Sequence, residues 1–366
     1  MFIRSGHGNL RVWIISTALG LTSIFLGPLP AVGQTPTIYS PVILYREFGN
    51  PGRSFEMKED GSGKQYLSQI PANFWGADLS HEGVQGQRHF IRIEAPSVDG
   101  QPNDIVVYPE DFSSRTVLIN DKSFHPFGVA VWARDGSRVA YTEWWCIEKD
   151  VNNQCTKTSS GITVADVVRD SAGMPSALVN EQRIAETSLD SLGSQTWAPD
   201  NQHLAYTLGN HAYMVNIPPP ASIDTPTTTE IVLSAGTSFN LPGLNFSPIS
   251  RIDSQGHQLF KLAFRQRTET KPYPRGDIFT IEIPAGYDGG YALSPSRITN
   301  STNAKNVWEM AFFDWSPDGQ WMAFDGAGGS GFTRDIYKIK SDGSAKAMNL
   351  TNLTTQIYYS LSGWRK

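Results

Sequence analysis

The sequence predicts an all-β fold, a β-propeller of six four-stranded antiparallel blades, closed into a ring by pairing of the C-terminal strand with the N-terminal blade. Three observations predict it. A segment made of an aromatic residue, a turn such as Ser-Pro-Asp-Gly and an alternating strand recurs along the chain. A second alternating strand follows, ending in its complete copies in an Asp-Gly turn. The two ends of the chain beyond its leader each hold the part of one unit that the other lacks.

The leader is residues 1–33. Arg4 and Arg11 precede or open an apolar run from Val12 to Leu26, and Ala31-Val32-Gly33 offers small residues for cleavage. A buried helix or membrane anchor is the alternative, but Ser16, Thr17, Thr22 and Ser23 interrupt the run and Pro28 and Pro30 follow it. A cleaved signal peptide is expected, with a mature domain over 34–366 that begins near Gln34. No cysteine stands at the cleavage point, so no lipid anchor is expected there, and no later window is apolar enough to cross a bilayer.

The units follow in order. Ile43 to Leu67 supplies a strand, a second strand and the turn Asp60-Gly61-Ser62-Gly63, with no aromatic segment before them. A faint copy starts at Trp75. Clearer ones run from Trp132 to Val179, Trp197 to Leu233 and Phe246 to Thr299, the last with its turn lengthened to Asp253-Ser254-Gln255-Gly256. The copy from Trp315 to Thr351 is complete, and Tyr358 to Lys366 brings only the approach to Trp364. Placed beside Ile43 to Leu67, this last segment completes a blade and removes two open sheet edges. The markers Trp75, Trp132, Trp197, Phe246, Trp315 and Trp364 lie 57, 65, 49, 69 and 49 residues apart, so the connections differ in length.

Turn chemistry explains WSPDGQWMAF (Trp315 to Phe324) without a site. Pro fixes φ, Asp bonds the backbone, and Gly takes the left-handed conformation, which Asn201 tolerates in the Trp197 copy. The small Ala140, Ala205 and Ala323 are expected between blades. A glycosidase-type Asp-box is the alternative, from which the order S-P-D-G-Q-W departs. With the strands of a blade lettered A to D from the axis outward, A–B and C–D turns share one face and are mostly tight. The other face receives the long connections: Cys146 to Cys155, Arg265 to Gly276, Asp325 to Asp335, and those around His125-Pro126-Phe127 and Asn300 to Trp308. Pro218 to Thr229 falls in a C–D connection and reads as a stiff spacer.

The pattern aromatic-S-P-D-G-x-x-apolar-A-F, followed by D-I-Y-x-apolar-x-x-D-G-S, resembles the repeat of TolB-type six-bladed propellers, a WD40-like arrangement, and is similar to the propellers of prolyl-oligopeptidase-like enzymes. TolB carries an α/β domain before its propeller, and no segment of that length precedes the repeats. The resemblance therefore implies the fold and not TolB's partners.

Removing Arg4 and Arg11 leaves 28 basic against 35 acidic residues, a formal charge of −7 instead of −5, which argues against a nucleic-acid surface. Cys146 and Cys155 are the only cysteines, and in an exported chain they are expected to form one disulfide. A metal pair is the alternative, but two thiolates without a neighbouring His leave the ligand set short.

Binding is expected on the long-loop face. The candidates are Arg265, Arg267, Tyr273 and Arg275, which would suit an anionic or carboxylate-bearing partner, together with Trp144, Phe332, Arg334 and Trp308. A solvated loop is the plainer reading of the arginines. Trp144 and Trp145 face opposite sides of a strand, so one is expected in the core and the other exposed. No G-x-S-x-G, P-loop or H-E-x-x-H motif occurs, and the histidines are scattered over different blades. A catalytic or metal site is not expected from the motifs, nor is a cofactor. The expectation is an exported, periplasmic or extracellular, monomeric binding scaffold without catalysis of its own, for a protein or peptide or a glycan. The alternative is a hydrolase or lactonase with its site at the axial mouth.

Overall fold

The computed structural model describes residues 41–48, 52–70, 78–79, 88–94, 103–120, 127–188, 192–219, 224–234, 243–269, 275–300, 310–328, 333–352 and 358–365. They belong to the unit Ser40–Lys366. The leader, Trp75, Tyr273, Trp308 and Phe332 lie outside the described residues.

Blade 1 contains β1 (Val42–Phe48), β2 (Arg53–Lys58) and β3 (Gln65–Tyr66). Blade 2 is β4 (Asp78–Leu79), β5 (His89–Glu94), β6 (Asp104–Pro109) and β7 (Thr116–Asn120). Blade 3 is β8 (Phe127–Trp132), β9 (Arg138–Lys149), β10 (Cys155–Arg169) and β11 (Pro175–Thr187). Blade 4 is β12 (Leu192–Trp197), β13 (His203–Leu208), β14 (His211–Asn216) and β15 (Thr227–Glu230). Blade 5 is β16 (Leu244–Ile252), β17 (Gln258–Glu269), β18 (Arg275–Pro284) and β19 (Ser296–Arg297). Blade 6 is β20 (Met310–Trp315), β21 (Trp321–Gly328), β22 (Thr333–Lys340) and β23 (Met348–Asn349). The last strand, β24 (Tyr358–Arg365), pairs antiparallel with β1, Trp364 opposite Ile43 and Tyr358 opposite Phe48. It is the inner strand of blade 1. The ring closes as the unequal ends of the repeat predict.

Strand register corrects one marker. Trp315, Trp197 and Trp132 lie opposite Met322, Leu204 and Val139, and the residue in that register in blade 2 is Leu79, opposite Phe90. The weak copy therefore reads Asp78-Leu79-Ser80-His81-Glu82-Gly83, and its aromatic has been replaced by leucine four residues beyond Trp75.

Buried side chains fall into six clusters, one at each junction between neighbouring blades. Phe246, Trp315, Trp197 and Trp364 stand in four of them, and Ala140, Ala205 and Ala323 are fully buried, as a close approach of sheets demands. The residue before each marker ties blades together where it is polar. The Trp132 N–H donates to Asp78 Oδ2 at 2.6 Å, the Phe246 N–H to Thr196 Oγ1 at 3.2 Å and the Trp364 N–H to Asp314 Oδ2 at 2.9 Å. Val131 and Gly363 occupy the same place in blades 3 and 1 and bring no polar side chain.

The D-I-Y segment is structural. Thr351 Oγ1 accepts from the Ile336 N–H at 3.0 Å and donates to Asp335 Oδ1 at 2.5 Å, which locks β22 to the end of β23. Thr299 does the same with Ile278 (2.9 Å) and Asp277 (3.0 Å) in blade 5. In the turns, Gly136, Asn201 and Gly319 have φ of 70°, 59° and 67°. Asp318 Oδ1 accepts from Ser316 Oγ and the Gln320 N–H, which is the turn-building role its place in the repeat implies.

Candidate functional site

The loop face is uneven because blades differ in the length of their middle strands. In blade 4, β13 and β14 have 6 residues each and turn through Gly209 and Asn210. Strands β9 and β10 have 12 and 15, and β17 and β18 have 12 and 10. Counted from the residue opposite each marker, β9 runs six residues further on this face than β13, about 20 Å of strand, and β17 three further, about 10 Å. Blades 3 and 5 thus raise unequal hairpins on either side of a low blade 4.

The blade 3 hairpin is the better described. Strand β8 accompanies β9 only to Glu143, and β11 accompanies β10 only from Ser160, so Trp145–Lys149 and Cys155–Ser159 form a two-stranded ribbon. Such a ribbon is marginal on its own. The expected disulfide spans it, Cys146 to Cys155 with Cα atoms 5.7 Å apart. At the tip, Asp150 Oδ1 accepts from the N–H groups of Asn152 and Gln154 at 2.9 and 2.8 Å, and Asn153 takes a φ of 63°. This turn presents Val151, 100% exposed, with Ile147 at 42% below it.

Neither adjacent tryptophan is fully buried or fully exposed, which differs from one in the core and one outside. Trp144 packs on Gly128 of the inner strand, where any side chain would run into its ring. Trp145 packs on Gly161 and lies under the Arg183 guanidinium, 4.1 Å from the ring centroid. Arg183 also bonds Glu143 Oε1 at 2.9 Å. Sequence reasoning missed this braced base; glycines Gly128 and Gly161 in strands that pack on adjacent tryptophans are the signal that could have found it.

Of the candidate arginines, Arg265, Arg267 and Arg275 lie on the blade 5 hairpin and Arg334 on β22. Arg265 is half-buried with its Cγ and Cδ against Gly276, so its stem packs within blade 5. Arg267 pairs with Gly276 and Arg275 with Glu269 across the hairpin. Arg334 stands half-buried on β22, in register with Ala327 and, as a parallel partner, with Tyr358.

Along the axis, four inner strands carry the same irregularity, one extra residue opposite the second strand: between Phe127 and Ala130, Leu192 and Gln195, Met310 and Phe313, and Leu361 and Gly363. Bulges re-aim side chains at barrel and propeller rims. At two of them, in the opposed blades 3 and 6, Val129 and Phe312 remain 41% and 55% exposed. At the other end, Arg134 stands where Pro317 stands in the complete repeat. Its buried guanidinium reaches past blade 4 to donate to the Phe246 carbonyl of blade 5 at 2.5 Å. Its charge also reaches Asp314 of blade 6. Burial raises the Asp314 pKa despite the opposing effects of the Trp364 N–H, the Asn245 amide, the Trp315 N–H and Arg134.

The described histidines do not converge. His89 lies against Met174, while His203, His211 and His257 each bond a nearby acid, Asp200, Glu230 and Asp253. Among the described residues, no group of three or more His, Cys, Asp or Glu is placed to hold a metal ion, and no helix is long and apolar enough to cross a membrane.

The class these features define is a six-bladed β-propeller with antiparallel closure. No family model and no curated protein matches the chain. Among solved structures it is similar to TolB from Acinetobacter baumannii, with 13% identity over 87% of this chain and 70% of that one and a TM-score of 0.44. It is also similar to an oligogalacturonate lyase solved with manganese, with 11% identity over 84% and 73% and a TM-score of 0.43. An acylaminoacyl peptidase of Pyrococcus horikoshii matches with 12% identity over 84% of this chain and 44% of that one, with a TM-score of 0.40.

Proposed function

We propose that the chain is an exported, monomeric binding scaffold without catalytic activity of its own, and that its loop face takes a protein or peptide partner. The observation that carries the reading is the relief of that face: two raised hairpins flank a low blade, one is braced by a disulfide, and its tip exposes Val151 and Ile147. Exposed apolar groups on a rigid support are what an interface anchor requires. The disulfide and the leader support export, a compartment where the bridge persists.

The test uses the mature chain, photo-crosslinked in the exported fraction with a probe at Asn152 and, on the other face, at Gln320. A single adduct from Asn152 alone, lost in Ile147→Asp/Val151→Asp with unchanged melting, is the expected outcome. Adducts only from Gln320, or adducts indifferent to the double variant, would overturn the reading.

A further inference from the structure

A cavity of about 340 Å³ lies away from the loop face, between blades 3 and 4. On the blade 3 side it is lined by Arg138, Asp166, Asn180, Glu181 and Gln182, and on the blade 4 side by Ile217–Pro219 and Asp224.

The backbone is shaped for it. Val164 pairs with Gln182 and Asp166 with Val179, so Asn180 and Glu181 together oppose Ala165. Asn180 takes a φ of 53°, the left-handed region that Asn tolerates better than most residues. Its amide then donates to Asp166 Oδ2 at 2.8 Å inside the cavity. Arg138 is buried, stacked over Trp197 at 5.9 Å, and held by long contacts: 3.5 and 3.4 Å to the Ile217 and Pro218 carbonyls and 3.9 Å to Asp166. Its donors therefore retain bonding capacity toward a guest.

We propose that this cavity binds a neutral saccharide. The lining offers carboxylate acceptors, guanidinium donors and two amides that do both, the mixture that vicinal hydroxyls satisfy. Three acids against one arginine disfavour an anion, and Arg138 in the lining disfavours a simple cation. Ile217–Pro219 give an apolar wall for the C–H face of a sugar ring. The volume lies within the range of small-molecule sites. This proposal does not depend on the loop-face reading.

The experiment is saturation-transfer NMR on the mature chain with maltose, cellobiose and sucrose, and in separate arms spermidine and glutarate. Binding of at least one disaccharide is expected, weakened about ten-fold in Gln182→Ala and in Asn180→Gly through the lost hydrogen bonds. Glycine keeps the left-handed backbone, so Asn180→Gly removes the amide without unmaking the bulge. Binding of none of the three sugars, binding indifferent to both variants, or binding of spermidine or glutarate instead would overturn the proposal.

Discussion

Deleting Tyr358–Lys366 tests the ring as a ring. The deletion removes β24 and all its pairs with β1, and it strips Tyr359, Leu361 and Trp364 from a cluster they share with Ile43, Tyr45 and Met57. Burying each such side chain contributes about 1.5–3 kcal/mol, so three account for roughly 5–9 kcal/mol. Asp314 also loses the Trp364 N–H. Since a domain of ordinary stability has only about 5–15 kcal/mol to lose, the open ring should retain little or none. Trp364→Ala alone should cost about 3–5 kcal/mol, the usual range for emptying a buried tryptophan site. Urea unfolding followed by far-ultraviolet circular dichroism measures both, and the shortened chain should regain stability when the peptide Tyr358–Lys366 is added. A truncated protein that unfolds at the same urea concentration as the parent would refute closure by β24.

Other outcomes follow from single contacts. Thr351→Val and Thr299→Val should each cost about 1–3 kcal/mol in urea unfolding, because each leaves a buried carboxylate and an N–H short of a partner; a neutral result for both would sink the locking role. Burial, and then Arg169, push the His89 pKa down to about 4. The unfolded chain protonates near 6.5 and the folded one only near 4, so stability is present above that window and lost as pH falls through it, by at most about 3 kcal/mol. His89→Gln should flatten melting temperature against pH in that window, and parallel curves would contradict it. Thiol titration in denaturant without reductant should find no thiol, whereas two would remove the bridge. Asp318→Ala should lower stability by about 1 kcal/mol and spare loop-face crosslinking; crosslinking lost from a folded variant would return WSPDG to the candidate sites.

Much of the fold was legible because the repeat states its own turns. Gly136, Asn201 and Gly319 need positive φ, and only a few residue types accept it cheaply, so the turns survive in the sequence. The exception is instructive: Leu79 takes the marker's register with no aromatic, and only its pairing with Phe90 identifies it. The candidate site was less legible, since loops that differ from blade to blade leave no repeated motif. Arg134 was hidden because it occupies a turn position filled elsewhere by proline, and its contact with Phe246, two blades away, leaves no local pattern. The blade 5 hairpin through Asp253–Gly256 was foreseen as a longer turn, yet its ordered strands also raise Ile249 and Ile252 on the otherwise tight face.

The raised hairpins of blades 3 and 5 have a consequence for recognition. Six alike units around an axis present a binder with six equivalent settings, each 60° apart, and nothing in the repeat itself chooses among them. With two posts unequal in length and a gap of one blade between them, a single rotational setting remains. The molecule is keyed, and trimming either post to the length of blade 4 would make it a plain wheel on that side.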